Sequence, residues 1–155
     1  MIVKLRIDDR LLHGQVAYSW KAKLGYNAIV IVSDAAANDD LRKATIKMCC
    51  PDGVKLATRE TAKGIELLKN DKLKGMNVFV VCPDPKTAFN VLSGIDEKPS
   101  VNLGGMQKRE GANMYSKAVY TTAEDIEYLN KITDLGLDIE VQEVPESSMS
   151  HYTKQ

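Results

Sequence analysis

The chain is short of cysteine, has no surplus of either charge and contains no long apolar run, and each shortage removes a class of function. Its three cysteines, Cys49, Cys50 and Cys82, form no CxxC pair, and adjacent cysteines such as Cys49 and Cys50 bridge poorly because their geometry is unfavourable. A disulfide framework is therefore not expected, and a reduced, cytosolic compartment is the natural inference. Twenty-one basic and 21 acidic residues cancel. No global field then favours nucleic acid or an anionic membrane, and attraction to a charged partner must be local. Lys4, Arg6, Asp8, Asp9 and Arg10 interrupt the N-terminal segment, so it does not read as a signal peptide. Nowhere do about 18 apolar residues run together, so contact with a membrane is expected only through partner subunits. The two histidines are far apart in sequence and the cysteine pair lacks spaced partners, so no metal site is expected and no cofactor is implied. There is no GxSxG elbow, Walker loop or GxGxxG motif. No repeat, low-complexity block or linker divides the 155 residues, so 1–155 is expected to form one domain, with a polar tail at 146–155 that is disordered or helical.

What is present is an alternation of strand-like and helix-like segments. It argues for an α/β fold, a mostly parallel open sheet of about six or seven strands with helices on both faces. In residues 2–7 every second position is apolar, with Val3, Leu5 and Ile7 on one face. Residues 28–32 form a continuous, largely β-branched run suited to a buried central strand. Further strands are predicted at about 53–57, 77–82, 100–103, 117–120 and 138–144, the last two at sheet edges and open to antiparallel pairing. A helix from Gly14 to about Leu24 places Val16, Trp20 and Leu24 in an apolar stripe. A second is predicted from an N-cap at Asn38 to about Cys50, where Pro51 stops it. Others are predicted at about 60–70 and 85–92, and a fifth opens at Thr122, whose capping box with Asp125 precedes Ile126, Leu129 and Ile132.

The stretch from Arg6 to Val16, RIDDRLLHGQV, sets His13 between an apparent strand and a helix, where α/β proteins do chemistry. Neutral imidazole offers an unprotonated nitrogen that can attack a phosphoryl group. Arg10 and Arg6 precede it by three and seven residues, and guanidinium groups match phosphate oxygens in a two-point fork. The alternative for His13 is an ordinary surface or core histidine. The helix that follows supplies unpaired N–H groups for a phosphoryl group, and Gly14 gives backbone room there or is simply a helix-entry glycine. Arg10 neutralises phosphoryl oxygens, or else pairs with Asp8 or Asp9 at the surface. Asp8 accepts a hydrogen bond from one ring nitrogen of His13, or serves an Asx-turn. Arg6 is expected to face a helix or an acidic neighbour. Ser33 and Asp34 end the second strand, where the hydroxyl can donate to phosphate and the carboxylate can hold Arg10 or His13. Both are also ordinary strand-ending residues. The glycine loop 103–111 either lets backbone approach the phosphoryl group, with Lys108 and Arg109 turned to partners, or is a surface turn. Four loops are expected to meet beyond the carboxyl ends of the strands, at 8–13, 33–37, 83–85 and 104–113.

RIDDRLLHGQV is followed in order by Trp20, IVIVSD, NDDLRK with KMCCPDGVKL, SVNLGGM, and SKAVYTTAEDIEYL. In this series the chain resembles the IIB components of the mannose/fructose/sorbose family of the bacterial phosphotransferase system, from Met1 to about Pro145. The adjacent Cys49 and Cys50 depart from the small-residue pattern of that family. The resemblance implies a cytoplasmic phosphoryl carrier held at the inner face of the membrane through IIC and IID subunits. His13 would accept a phosphoryl group on Nδ1 from a phosphohistidine of a IIA protein or domain. It would then donate that group to a sugar of the mannose, fructose, sorbose or amino-sugar class. The catalytic set is then His13, Arg10 and Asp8, the phosphate-binding set Arg10, Gly14 and Ser33, and the partner-binding pair Lys108 and Arg109. A different class stays open, a regulatory α/β module in which His13 merely binds an anion.

Overall fold

The computed structural model describes residues 1–155. In chain order the elements are β1 (Ile2–Asp8), α1 (Gly14–Leu24), β2 (Ala28–Val32), α2 (Asp34–Ala37), α3 (Asp40–Met48), β3 (Lys55–Arg59), α4 (Thr61–Leu68), β4 (Val78–Cys82), α5 (Pro85–Gly94) and β5 (Val101–Gly105). There follow β6 (Asn113–Ser116), β7 (Val119–Thr121), α6 (Ala123–Asp134), β8 (Ile139–Val141) and β9 (Ser150–His151). Seven strands pair in the order β3-β2-β4-β1-β5-β8-β9, all parallel except β9. This is the mostly parallel α/β sheet that the alternation predicts.

Helices cover both faces, so a strand in this sheet has no solvent side. Ala28, Val30 and Val32 enter one apolar layer with Val78, Val80 and Cys82, while Ile29, Ile31, Phe79 and Val81 enter the other with Val16, Ala17 and Trp20 of α1. β1 departs from strict alternation. A register shift between Ile2 and Lys4 sends Ile2, Leu5 and Ile7 to the first layer, and Val3 packs against the second. Lys4, Arg6 and Asp8 share the α1 side of the strand, and all three are buried.

Local chemistry explains most of the boundaries. α1 ends at Gly25, whose φ of 66° closes the last turn with its N–H on the Lys21 carbonyl. The helix expected from Asn38 is divided. Ser33 caps the single turn of α2 and Asn38 ends it, so Asp39 becomes the N-cap of α3, accepting from the Arg42 N–H. Thr122 and Asp125 form the expected capping box. The strand expected at 53–57 begins later, because Pro51 to Gly53 form the turn before it. The segment expected at 117–120 is instead the turn and second arm of an antiparallel hairpin, β6 and β7, tied to Met106 through Val119. β8 lies parallel to β5, and its outer edge is closed by β9. The tail is thus neither disordered nor helical: an unpaired edge is covered, and Tyr152 is buried with its hydroxyl donating to Asn130 Oδ1 at 2.6 Å.

Candidate active site at the end of β1

β1 ends in a tight turn. The Leu11 N–H donates to the Asp8 carbonyl at 2.9 Å, and Leu11 takes φ 60° although it is neither glycine nor asparagine. A non-glycine residue in this region costs about 1 kcal/mol or more, offset here by burial of Leu11 in the α1 layer. The turn delivers His13 to the N-cap of α1, where its side chain makes no capping hydrogen bond, so the first-turn N–H groups are not taken up by it. Gly14, at φ 38°, supplies the backbone freedom.

Asp8 organises the group. Its Oδ1 accepts the Arg10 N–H at 2.9 Å, an Asx-turn contact. Its Oδ2 lies 2.9 Å from His13 Nε2 and accepts from Arg6 Nη2 at 2.9 Å and Arg6 Nε at 3.2 Å. Burial alone would raise the Asp8 carboxyl. The hydrogen bond with His13, the Arg6 charge and the Arg10 N–H outweigh it and hold Asp8 below the usual aspartate range. An ionised carboxylate only accepts, so in the neutral ring the proton belongs on Nε2 and Nδ1 carries the lone pair. The two readings of Asp8, turn residue and ring partner, thus use different oxygens of one side chain.

Next to it, Asp9 behaves oppositely. Burial and the neighbouring Asp8 raise its carboxyl, with the Gln107 N–H opposing, and its Oδ1 is buried without a partner.

The four expected loops do meet, around a cleft of about 590 Å³ lined by Asp9, Ser33, Asp34, Asp84, Arg109 and Asp125 among others. His13 and Arg10 do not line it. Ser33 Oγ accepts the Ala36 N–H at 3.2 Å, and Asp34 accepts from Thr61, so neither is joined to His13 or Arg10. Arg109 turns to the same cleft, paired with Asp125 and donating to the Tyr120 carbonyl. On the other side of the β1 turn, Arg10, Lys108 and Lys117 line a smaller cleft of about 250 Å³. The two sides of the turn therefore differ in charge balance: acidic residues predominate on one, and on the other three cations stand against Asp9 and Glu143. Of the residues singled out from sequence, His13, Asp8, Arg6 and Gly14 come together, Arg10 and Lys108 line the smaller cleft, and Ser33 and Arg109 belong to the acidic cleft. No three His, Cys, Asp or Glu side chains gather as metal ligands, and no helix is long and apolar enough to cross a membrane.

Sequence reasoning missed Asn102 and Lys117. Asn102 carries a signal, a polar side chain in an otherwise apolar strand, which must find partners when buried. Lys117 carries none, since nothing in its neighbours marks the turn that brings it to the same cleft as Arg10.

Residues 2–154 match the family model described as the phosphotransferase system sorbose subfamily IIB component. The mannose-specific EIIAB component of Escherichia coli is 36% identical over 93% of this chain, which spans 45% of that longer protein. The sorbose-specific EIIB component of Lacticaseibacillus casei is 33% identical over 93% of this chain and 88% of its own length. Among solved structures, the IIBSor domain of the sorbose permease from Klebsiella pneumoniae superposes with a TM-score of 0.92 at 27% identity, covering 97% of this chain and 92% of that one. The N-acetylgalactosamine-specific IIB component 1 of E. coli gives 0.87 at 29%, covering 99% and 100%. The likeness covers almost the whole chain, and the chain belongs to the sorbose subfamily of phosphotransferase-system IIB components.

Proposed function

We propose that this chain, as one domain, carries a phosphoryl group on His13 between a phosphohistidine of a IIA protein or domain and a sugar taken up through membrane IIC and IID subunits. The observation that carries the reading is the 2.9 Å contact of His13 Nε2 with an ionised Asp8 at the uncapped start of α1. It leaves Nδ1 as the nucleophile and puts a negative charge where positive charge develops. In the first transfer the Nδ1 lone pair forms a bond to phosphorus while the N–P bond to the donor imidazole breaks, its electrons returning to the donor nitrogen. The His13 ring, keeping its Nε2 proton, becomes cationic and is stabilised by Asp8. In the second, a sugar hydroxyl oxygen bonds to phosphorus, the Nδ1–P bond breaks, and the hydroxyl proton passes to a base or water at the acceptor site. The α1 N–H groups and Arg10 neutralise the phosphoryl oxygens.

The cleft of Arg10, Lys108 and Lys117, whose three cations outnumber Asp9 and Glu143, is the docking face for an anionic donor, with Arg109 paired to Asp125 instead. Lys117 replaces Arg109 in this reading. Contact must be transient, so affinity for IIA is expected to fall as ionic strength rises. The protein would work in the cytoplasm, held to the membrane by its partners. The test is incubation with phosphoenolpyruvate, the general phosphotransferase proteins and a IIA partner. One acid-labile phosphate, absent from His13→Ala, is expected, whereas label on His151 or undiminished label in the variant would end the proposal.

A further inference from the structure

Arg6 is the most deeply buried basic residue in the molecule. It lies on a central strand, 1% exposed, with the Trp20 ring 5.7 Å from its guanidinium carbon. Burying a guanidinium is costly, and replacing a buried ion pair by apolar side chains is often neutral or favourable for stability. Its fork grips the Asp8 oxygen that faces His13, at 2.9 and 3.2 Å. Its remaining nitrogen, Nη1, donates to Asn102 Oδ1 at 2.7 Å. Asn102 is itself fixed, since its amide nitrogen donates to the carbonyls of Gln142 at 2.9 Å and Glu140 at 3.3 Å. A line of hydrogen bonds therefore runs from β8 through β5 and β1 to the imidazole.

The two glycines at the end of β5 make this possible. A Cβ on Gly104 would stand 2.1 Å from both the Cζ and the Nη1 of Arg6, and one on Gly105 would stand 3.3 Å from Asp8 Oδ1. The glycine pair thus approaches Arg6 and Asp8 rather than a phosphoryl group. The β5 backbone closes on the guanidinium like a lid and leaves it one position.

We infer that Arg6 is a positioning residue for phosphoryl transfer: held by Asn102 and the Gly104 backbone, it fixes the Asp8 carboxylate as the acceptor of the His13 ring proton. The inference rests on His13 being the phosphoryl acceptor. Arg6 is sealed from solvent, so it acts only through Asp8 and cannot touch the donor. Removing it frees the carboxylate to rotate and to protonate, and the ring loses its fixed partner.

The test compares Arg6→Met, Asp8→Asn, the double variant and Gly104→Ala, each counted by phosphate stoichiometry so that only active molecules enter the rate. Arg6→Met is expected to lower kcat about 10-fold, as for loss of one preorganised contact, with KM for phosphorylated IIA within about twofold. The hydrogen-bonded ring proton of His13, followed by NMR in the unphosphorylated protein, is expected to vanish into solvent exchange. The double variant should be no slower than Asp8→Asn alone, because the two residues act as one unit. Gly104→Ala should reproduce the loss with the arginine still present, and it carries the test if Arg6→Met does not fold. An unchanged kcat and ring-proton signal in Arg6→Met or Gly104→Ala, or multiplied losses in the double variant, would overturn the inference. Undiminished labelling of His13→Ala would instead sink the phosphoryl reading, and the ring-proton signal would still report on Arg6.

Discussion

The two faces of β1 bury side chains equally and do so for opposite reasons. Leu5 and Ile7 enter hydrocarbon beside Val80, Val101 and Leu103, whereas Lys4, Arg6 and Asp8, on the same strand, enter a layer of charges roofed by Trp20. The apolar face contributes stability through removal of hydrocarbon from water and tolerates any partner of the right volume. The charged face gains little net stability and demands specific partners: Glu140 for Lys4, Asn102 for Arg6, and Arg6, the Arg10 N–H and His13 for Asp8. One face makes the fold, and the other aims a side chain out of it. Damage to one face should therefore be separable from damage to the other.

The sharpest separation is His13→Ala. The ring is only partly buried and sits at a helix end without capping it, so the variant should lose only the worth of its Asp8 hydrogen bond, about 1 kcal/mol, while accepting no phosphate. A parallel thermal scan and phosphorylation assay check both halves. Leu5→Ala should do the reverse. Removing a fully buried leucine costs about 3 kcal/mol, which for a chain of this size lowers the midpoint by roughly 6–12 °C, with labelling per folded molecule unchanged.

Asp8→Asn touches both properties, and its pH dependence shows how. The folded carboxyl is held below its unfolded value, so its contribution is fully present above the ordinary aspartate range and is lost as pH falls through that range toward the folded value. The asparagine variant should lose about 2 kcal/mol at neutral pH, chiefly from leaving Arg6 unpaired, and its stability should change less than the parent's on acidification. Denaturant titrations at neutral and acidic pH measure both. Arg10→Lys is expected to have the smallest effect, about 10-fold slower transfer at unchanged stability, since lysine keeps the charge and loses the two-point grip. Equal rates would reduce Arg10 to a surface residue.

The same contrast explains what could be read from sequence. Apolar periodicity gave the limits of α1, the buried run of β2 and the order of the elements, because burial of hydrocarbon is a property of spacing. The capping box at Thr122 and the turn at Asp8 were legible because their partners are two to five residues away. For Arg6 a helix or an acidic neighbour is legible, and α1 and Asp8 are what it meets, but Asn102 is not. Asn102 is separated from it by 96 residues, and the roof of Trp20 exists only once α1 lies on the sheet. Alternation in β1 sets Lys4 and Arg6 opposite Leu5 and Ile7. Yet a strand in the middle of a helix-covered parallel sheet has no wet face, and charges there must be paired. Asn38 was misassigned as an N-cap because a single extra turn, α2, cannot be seen in a periodicity of four residues. The tail was misread because the edge that orders it belongs to β8.

The central claim is that Asp8 occupies Nε2 and so reserves Nδ1 of His13 for phosphorus. The isomer of the phosphohistidine, read by nitrogen and phosphorus NMR on the protein labelled through its IIA partner, tests this directly. A phosphoryl group on Nδ1, with the Nε2 proton still hydrogen-bonded, is the predicted result, and a phosphoryl group on Nε2 would contradict it.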